Sequence, residues 1–305
     1  MQIRVLGSAA GGGFPQWNCN CPNCGAFRAG RFRGRSRTQS SIAVGEGASW
    51  ALVNASPDVL AQLSANPDLQ PGRTMRDTAL RAVVLVDGQV DHTAGLYMLR
   101  ESDRPWPIWC TESAYADLTR GNPILGVLSH YCGVEHHRIG LGSEESFAID
   151  VVRGVRWRAL PVAGKPAPYS PNRKSPVPGD NIALLIEDEA SGRTAFYAPG
   201  LGAIDESIWH AMQSADCVIV DGTFWTDDEM IRLGVSQKRA RDIGHLSQSG
   251  SGGMIEWLDR LPASTRKILI HINNTNPILD ESSAPAAELA RRGVEIAWDG
   301  MEIRP

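Results

Sequence analysis

Two groups of residues in this chain have types and spacings that do chemistry. Cys19, Cys21 and Cys24 form a C-x-C-x-x-C cluster, while Asp91, His92 and His271 each follow an apolar run. Three thiolates so close together suit a tetrahedral zinc site in which a loop wraps the ion, with a fourth ligand drawn from elsewhere. Buried, inert thiols are the plain alternative. Two histidines and one carboxylate with open positions form the donor set of non-haem iron(II) oxygenases, and three protein ligands plus water serve catalytic zinc as well. For Asp91 and His92 the plain alternative is a helix cap beside a hydrogen-bonded histidine.

The elements that must position these groups alternate along the chain. Val83, Val84, Leu85 and Val86 read as a buried strand that breaks at Asp87-Gly88, with a helical pattern from Thr93 through Leu99. Asp91 and His92 then fall in the turn at the carboxyl end of a strand, where open α/β sheets collect ligands. His271 stands in the same relation to the apolar run Ile268-Leu269-Ile270. Convergence of the three residues is therefore expected if those strand ends share an edge.

Upstream, a first strand over residues 3–6 runs into the glycine-rich loop 7–13. That loop matches neither G-x-G-x-x-G nor a P-loop, so its glycines serve a close backbone approach. Five arginines (28, 31, 33, 35 and 37) alternate after the cysteines, either as a solvated loop or as a rim that gathers anions. A hairpin over 41–44 and 50–54 follows, then a helix over 57–65 with Ser56 as its cap. His130, His136 and His137 lie in a polar stretch and read as surface histidines. Strands are expected over 108–110, 147–151, 155–160, 181–187, 194–198, 217–220 and 294–298, and helices over 111–119, 205–214, 254–261 and 283–292. Residues 161–180 hold six prolines and no periodicity, and a loop of that kind is more often functional than idle.

Composition narrows the function classes. The chain has 305 residues with a net charge of -4, 42% hydrophobic and 21% charged, so nothing suggests nucleic acid as a partner. Six cysteines are too few for a disulfide scaffold, and three in one cluster suggest metal. The first residues do not read as a signal peptide, and no run approaches the roughly 18 apolar residues of a membrane helix. A soluble, cytoplasmic protein is expected. Without a linker or composition break, residues 1–305 read as one α/β domain.

Taken together, LGSAAGGG, PQWNCNCPNC, RTQSSIAV, NASPD, DGQVDHTAGL, GHLS and HINNTNPILD make a combination that resembles the B family of pyrroloquinoline quinone (PQQ) biosynthesis proteins, within the metallo-β-lactamase superfamily. The resemblance runs the length of the chain. It implies a four-layer αββα sandwich with the metal at one edge of two packed sheets. The superfamily signature H-x-H-x-D-H binds two metals, but the aligned residues here are Asp87-Gly88-Gln89-Val90-Asp91-His92. The first two histidines are thus absent, Pro199-Gly200 stands where the bridging aspartate is usual, and residues 161–169 contain no histidine. One metal position remains, with Asp91, His92 and His271. The cysteine cluster resembles the structural zinc loop of the superfamily's phosphonate-pathway phosphodiesterases, whose fourth ligand, a histidine, corresponds to Asn274 here. His245 is a candidate replacement, although the related GHLS-like segment of tRNA-processing nucleases puts it beside the active site, handling protons.

The function implied by the resemblance is an Fe(II)- and O₂-dependent hydroxylase acting on the tyrosine-derived ring of a cross-linked Glu-Tyr precursor of PQQ, a small polycarboxylate. Asp91, His92 and His271 would bind iron, Cys19, Cys21 and Cys24 would bind Zn(II), and His245 and Asp87 would orient substrate or move protons. A single-zinc hydrolase and a non-enzymatic carrier of PQQ or its precursor in transport are the alternatives. Oligomeric state stays open, a homodimer included.

Overall fold

The computed structural model describes residues 1–142 and 145–305. Fourteen strands occur among them: β1 (Gln2–Gly7), β2 (Ser41–Glu46), β3 (Ser49–Val53), β4 (Leu80–Val84), β5 (Trp106–Cys110), β6 (Val134–Arg138), β7 (Phe147–Ala148), β8 (Val155–Pro161), β9 (Ile182–Asp188), β10 (Thr194–Ala198), β11 (Cys217–Asp221), β12 (Arg266–Ile270), β13 (Val294–Ile296) and β14 (Glu302–Ile303). They form two seven-stranded sheets, ordered β14-β1-β2-β3-β4-β5-β6 and β13-β12-β11-β10-β9-β8-β7. Within each sheet half the ladder is parallel, from β3 to β6 in the first and from β10 to β13 in the second. Parallel strands end on a common edge, so loops that leave β4, β11 and β12 gather there.

Three apolar layers explain the stacking. Between the sheets lie Val5, Ile42, Val44 and Val84 against Trp157, Leu184, Ile186, Ile219 and Ile268. The outer face of the first sheet packs on Val59, Leu96, Leu118 and Leu128, and that of the second on Ile208, Met212, Met254, Leu258 and Leu289. Each sheet is thus covered on both faces, which accounts for its continuous apolar runs. The result is the four-layer αββα sandwich of the metallo-β-lactamase fold.

At the edge that carries the strand ends, backbone bonds stitch the two halves together. Ala10 N–H donates to Ile272 O, Ile272 N–H to Ser8 O, and Ile182 N–H to Val86 O, each at 2.9 Å. Asn54, in the left-handed region with φ 64°, accepts from the Val86 N–H through its side chain. The end of β4 is therefore held from both sheets.

Several local expectations need correction. Asp91 and His92 lie in one turn of α-helix, Val90–Thr93, that tightens into a 3-10 segment, Ala94–Leu99. Gly95 there is pressed against Ser56 O, and a Cβ would stand 2.0 Å from that oxygen, so the close approach requires glycine. His136 and His137 sit on β6, an edge strand, facing opposite ways. His136 stacks on Tyr115 and His137 on Trp109, each with ring centroids 4.0 Å apart. Alternation along a strand separates neighbouring side chains, so these two cannot share an ion. The closing strand β14 carried too short a pattern to be read. Of the five arginines, Arg37 is buried against Ser8 Oγ and Ala297 O, and Arg28 donates to the carbonyls of Gln16 and Cys19. Arg28, Arg31, Arg33 and Arg35 are exposed, and Arg28 is tied down by its two carbonyl contacts.

The intersheet layer predicts a large stability cost for truncation. Leu184 is fully buried there, and Leu184→Ala is expected to lower unfolding free energy by about 2–5 kcal/mol, read as a shift in urea midpoint without a change of slope.

Candidate metal centre

Asp91, His92 and His271 come from two sheets and meet at the shared edge, their ligand atoms within 4.8 Å of one another. Asp91 Oδ2 lies 3.3 Å from His271 Nε2 and 4.0 Å from His92 Nε2. Two ligands of one tetrahedral ion, bonded at about 2.0–2.2 Å, stand about 3.3–3.6 Å apart. The first pair has that spacing already, and the second needs to close by a few tenths of an ångström on that scale.

Hydrogen bonds on the far side of each ring leave the right nitrogen free. His92 Nδ1–H donates to Asp87, 2.8 Å away, so Nε2 is the nitrogen left for a metal. That Nε2 is buried and has no hydrogen-bond partner among the described residues. A buried polar nitrogen without a partner is costly unless something fills its position, and a metal ion does. Thr223 arranges the other histidine. Its hydroxyl donates to Asp221 Oδ1 at 2.6 Å, the shortest and charge-assisted contact, and its oxygen accepts from His271 Nδ1–H at 2.9 Å. His271 itself takes φ 60°, unusual for a residue with a Cβ, and turns its ring into the edge.

The charges agree with this arrangement. Burial would raise the Asp91 carboxyl, but His92 and His271 hold it well below the usual range. Burial would likewise lower His92, yet Asp87 and Asp91 raise it to about 9. A metal ion takes the place of that proton, as metal binding to histidine requires. Gly11 explains the glycine-rich loop: a Cβ there would lie 3.2 Å from Asp91 Oδ2, so the backbone passes directly over the carboxylate.

Asp221, His245 and His271 form a second group of potential ligands. Here the geometry refuses a metal. His245 Nδ1 lies 2.6 Å from Asp221 Oδ2, a hydrogen bond far shorter than the ligand spacing above. Asp221 is otherwise filled by the N–H groups of Leu201 and Thr223. The pair is a carboxylate–imidazole dyad, with the proton of His245 favoured by Asp221 against the opposing effect of burial. Sequence reading placed Asp221 at a strand end but gave it no role. Its signal was the one that singled out His271, a polar residue closing an apolar strand. Asp87, expected to touch substrate or move protons, is instead buried with its oxygens committed to His92 and Gln89 N–H. It orients His92.

At the cysteine loop, Cys19, Cys21 and Cys24 converge, all within 4.8 Å. Burial pushes the Cys21 thiol up to about 12, a cost that a zinc ion removes by binding the thiolate. The side-chain amide of Asn274 faces all three sulfurs, at 3.1, 3.6 and 3.4 Å. It stands where a fourth ligand would, and His245 is occupied with Asp221.

The superfamily model described as "Beta-lactamase superfamily domain" matches residues 49–272. Coenzyme PQQ synthesis protein B of Azoarcus sp. (strain BH72) is 63% identical over 304 residues, covering 99% of each chain. The protein of that name from Pseudomonas aeruginosa (strain LESB58) is 54% identical and covers 100% of each. The chain belongs to the coenzyme PQQ synthesis protein B family. Among solved structures, Zn(2+)-bound PqqB from Methylobacterium extorquens aligns over 100% of both chains with TM-score 0.90 and 35% identity. A diphosphatase of the PhnP family, at 16% identity and TM-score 0.67, shares the fold alone.

Two outcomes follow for members of this family with these residues. Asp87→Asn is expected to weaken retention of the metal at Asp91, His92 and His271 by about 10–100-fold, measured by competition with a chromogenic chelator. Glu229 supplies a pH signature. It is buried, bonded to Thr275 of the His271 turn, and burial pushes its carboxyl from 4.5 to about 7. Below its unfolded value the group is protonated in both states. As pH rises toward 7 the unfolded chain ionises first, so the folded protein loses roughly 3 kcal/mol that it does not regain above 7. Urea titrations at a series of pH values should show that decline, and Glu229→Gln should flatten it.

Proposed function

We propose that this protein is an iron(II)- and O₂-dependent hydroxylase of PQQ biosynthesis, acting on the tyrosine-derived ring of a small polycarboxylate precursor. The observation that carries the reading is the solitary donor set, Asp91, His92 and His271, with the His92 Nε2 orphaned and the neighbouring carboxylate–histidine group closed by its own hydrogen bonds. Iron(II) held by Asp91, His92 and His271 would supply the redox chemistry that O₂ needs.

The chain's own residues supply positioning and proton handling. Asp87 and Thr223 fix the two histidine rings so that each Nε2 faces Asp91. His245, with its Nδ1–H committed to Asp221, offers Nε2 to the proton released from the phenol or the ring carbon. Gly11, without a side chain, lets the backbone pass close over Asp91. The balance is an aromatic C–H, one O₂, two electrons and two protons giving C–OH and water. The electrons come from a small reductant of the ascorbate class.

The Zn(2+) bound by the Methylobacterium extorquens protein favours a second reading, a hydrolase with one zinc-bound water. The two readings part cleanly in one assay. Protein loaded with ferrous iron under argon should convert a cross-linked Glu-Tyr precursor only when O₂ and ascorbate are supplied, with one oxygen atom from labelled O₂ in the product. Equal turnover with zinc, or product without O₂, would overturn the hydroxylase reading. His245→Gln should lower kcat by about 10²–10⁴ while leaving iron content unchanged.

A further inference from the structure

The cysteine site and the Asp91–His92–His271 centre are built on one short stretch of chain. Only two residues separate His271 from Asn274, whose amide faces the sulfurs. The turn between them is pinned at several points. Asn273 N–H donates to Thr223 O, and Thr275 Oγ1 to Glu229. Asn276, fully buried, spends its side-chain amide on the carbonyls of Gly222 and Thr223.

Asn23 joins this turn to the cysteine loop. It lies in the helix Pro22–Arg28, between Cys21 and Cys24, and its Nδ2 donates to Asn274 O at 3.1 Å and Asn276 O at 2.9 Å. Neither contact involves a sulfur. From Asn276 the connection continues through the Thr223 carbonyl, and the Thr223 hydroxyl holds His271 Nδ1. His271 needs such support because its φ of 60° is sparsely populated for a residue with a Cβ.

We propose that Asn23 is the positioning residue that couples the two metal centres: by clamping the Asn274 and Asn276 carbonyls it holds His271 in its ligand geometry, so that an ion at the cysteines tightens binding at Asp91, His92 and His271. An ion held by Cys19, Cys21 and Cys24 fixes the first turn of the helix and thereby the Asn23 amide. Without it, that turn and the His271 turn lose their common anchor. The inference rests on the reading of Asp91, His92 and His271 as a metal site, and extends it to what sets the affinity there.

The test is a Co²⁺ titration of full-length protein carrying zinc at the cysteines, followed by visible absorption of the Co²⁺–histidine centre. Asn23→Ala and the closer-shaped Asn23→Asp both remove the donors, and zinc content and circular dichroism identify which variant folds. Weakening of Co²⁺ binding by about 10-fold or more, with one zinc retained, is expected. Asn23→Gln, which keeps the amide, should recover part of it. In a cycle with Cys21→Ser, which empties the cysteine site, the Asn23 and Cys21 effects should not add. Unchanged Co²⁺ affinity in a zinc-retaining variant, or strict additivity, would overturn the coupling while leaving the metal site intact. Parent protein that binds no Co²⁺ at the histidines would overturn the metal site, and the coupling with it.

Discussion

The hydrogen bond between Asp87 and His92 is the constraint on which the edge of this molecule depends. It fixes a buried imidazole from behind and leaves its Nε2 without a hydrogen-bond partner among the described residues. A buried polar atom without a partner destabilises the fold by about 1–3 kcal/mol. Asp87 is already occupied, and Asp91 Oδ2 stands 4.0 Å away, beyond hydrogen-bond reach. The arrangement makes physical sense when something electropositive completes it. The same logic repeats at His271, where Thr223 takes the Nδ1 proton and turns Nε2 toward the same point. Two rings oriented from behind by oxygen atoms, with a carboxylate between them, form a site whose supporting bonds are as specific as its ligands.

The fold supplies the convergence. Each half-sheet that is parallel delivers its strand ends to one edge, and backbone bonds between residues 8–10 and Ile272 lock the halves in register. Residues in sparsely populated backbone conformations collect at this edge: Asn54 beneath the end of β4 and His271 at the end of β12. Such conformations persist only where surroundings over-determine them. Here the surroundings are the asparagine-rich turn: Asn276 places its side-chain amide on the carbonyls of Gly222 and Thr223, Asn273 donates to Thr275 Oγ1, and Asn274 turns its amide to the sulfurs.

Much of this was legible in the sequence, for an identifiable reason. The buried strands of a doubly covered sheet are continuous apolar runs, so a polar residue closing such a run is conspicuous, and Asp91, His92 and His271 stand out on that basis. The cysteine spacing is informative by itself because thiolates seldom crowd without a metal. What escaped reading was what depends on partners distant in sequence. Asp221 closes a strand as His271 does, but only the approach of His245, 24 residues on, makes it half of a dyad. Asn274 has no local signal and stands out only through the family resemblance, because its meaning comes from sulfurs about 250 residues away. Asp87 was visible, yet burial decides between a residue that meets substrate and one that holds a ring, and burial at a turn cannot be read from periodicity. The edge strand with His136 and His137 was missed because its polar, half-exposed residues lack the apolar run that marks its neighbours.

The difference between the two carboxylate–histidine groups bears on what such a fold can do. In the resembling superfamily the second position holds an ion, and a hydroxide shared by two ions is the nucleophile. In this chain Asp87 and Gln89 stand where the first two histidines would, and beside the remaining centre Asp221 and His245 are bonded to each other at 2.6 Å. That pair is an acid–base dyad, with the His245 and His271 ring centroids 5.4 Å apart. Under the hydroxylase reading this is the change required, because an O₂-dependent reaction calls for open positions at one ion and a route for protons, and has no use for a hydroxide pinned between two. A hydrolase using one zinc-bound water would call on the same dyad as a general base. The dyad therefore serves either chemistry, and it is the identity of the ion accepted by Asp91, His92 and His271 that separates them.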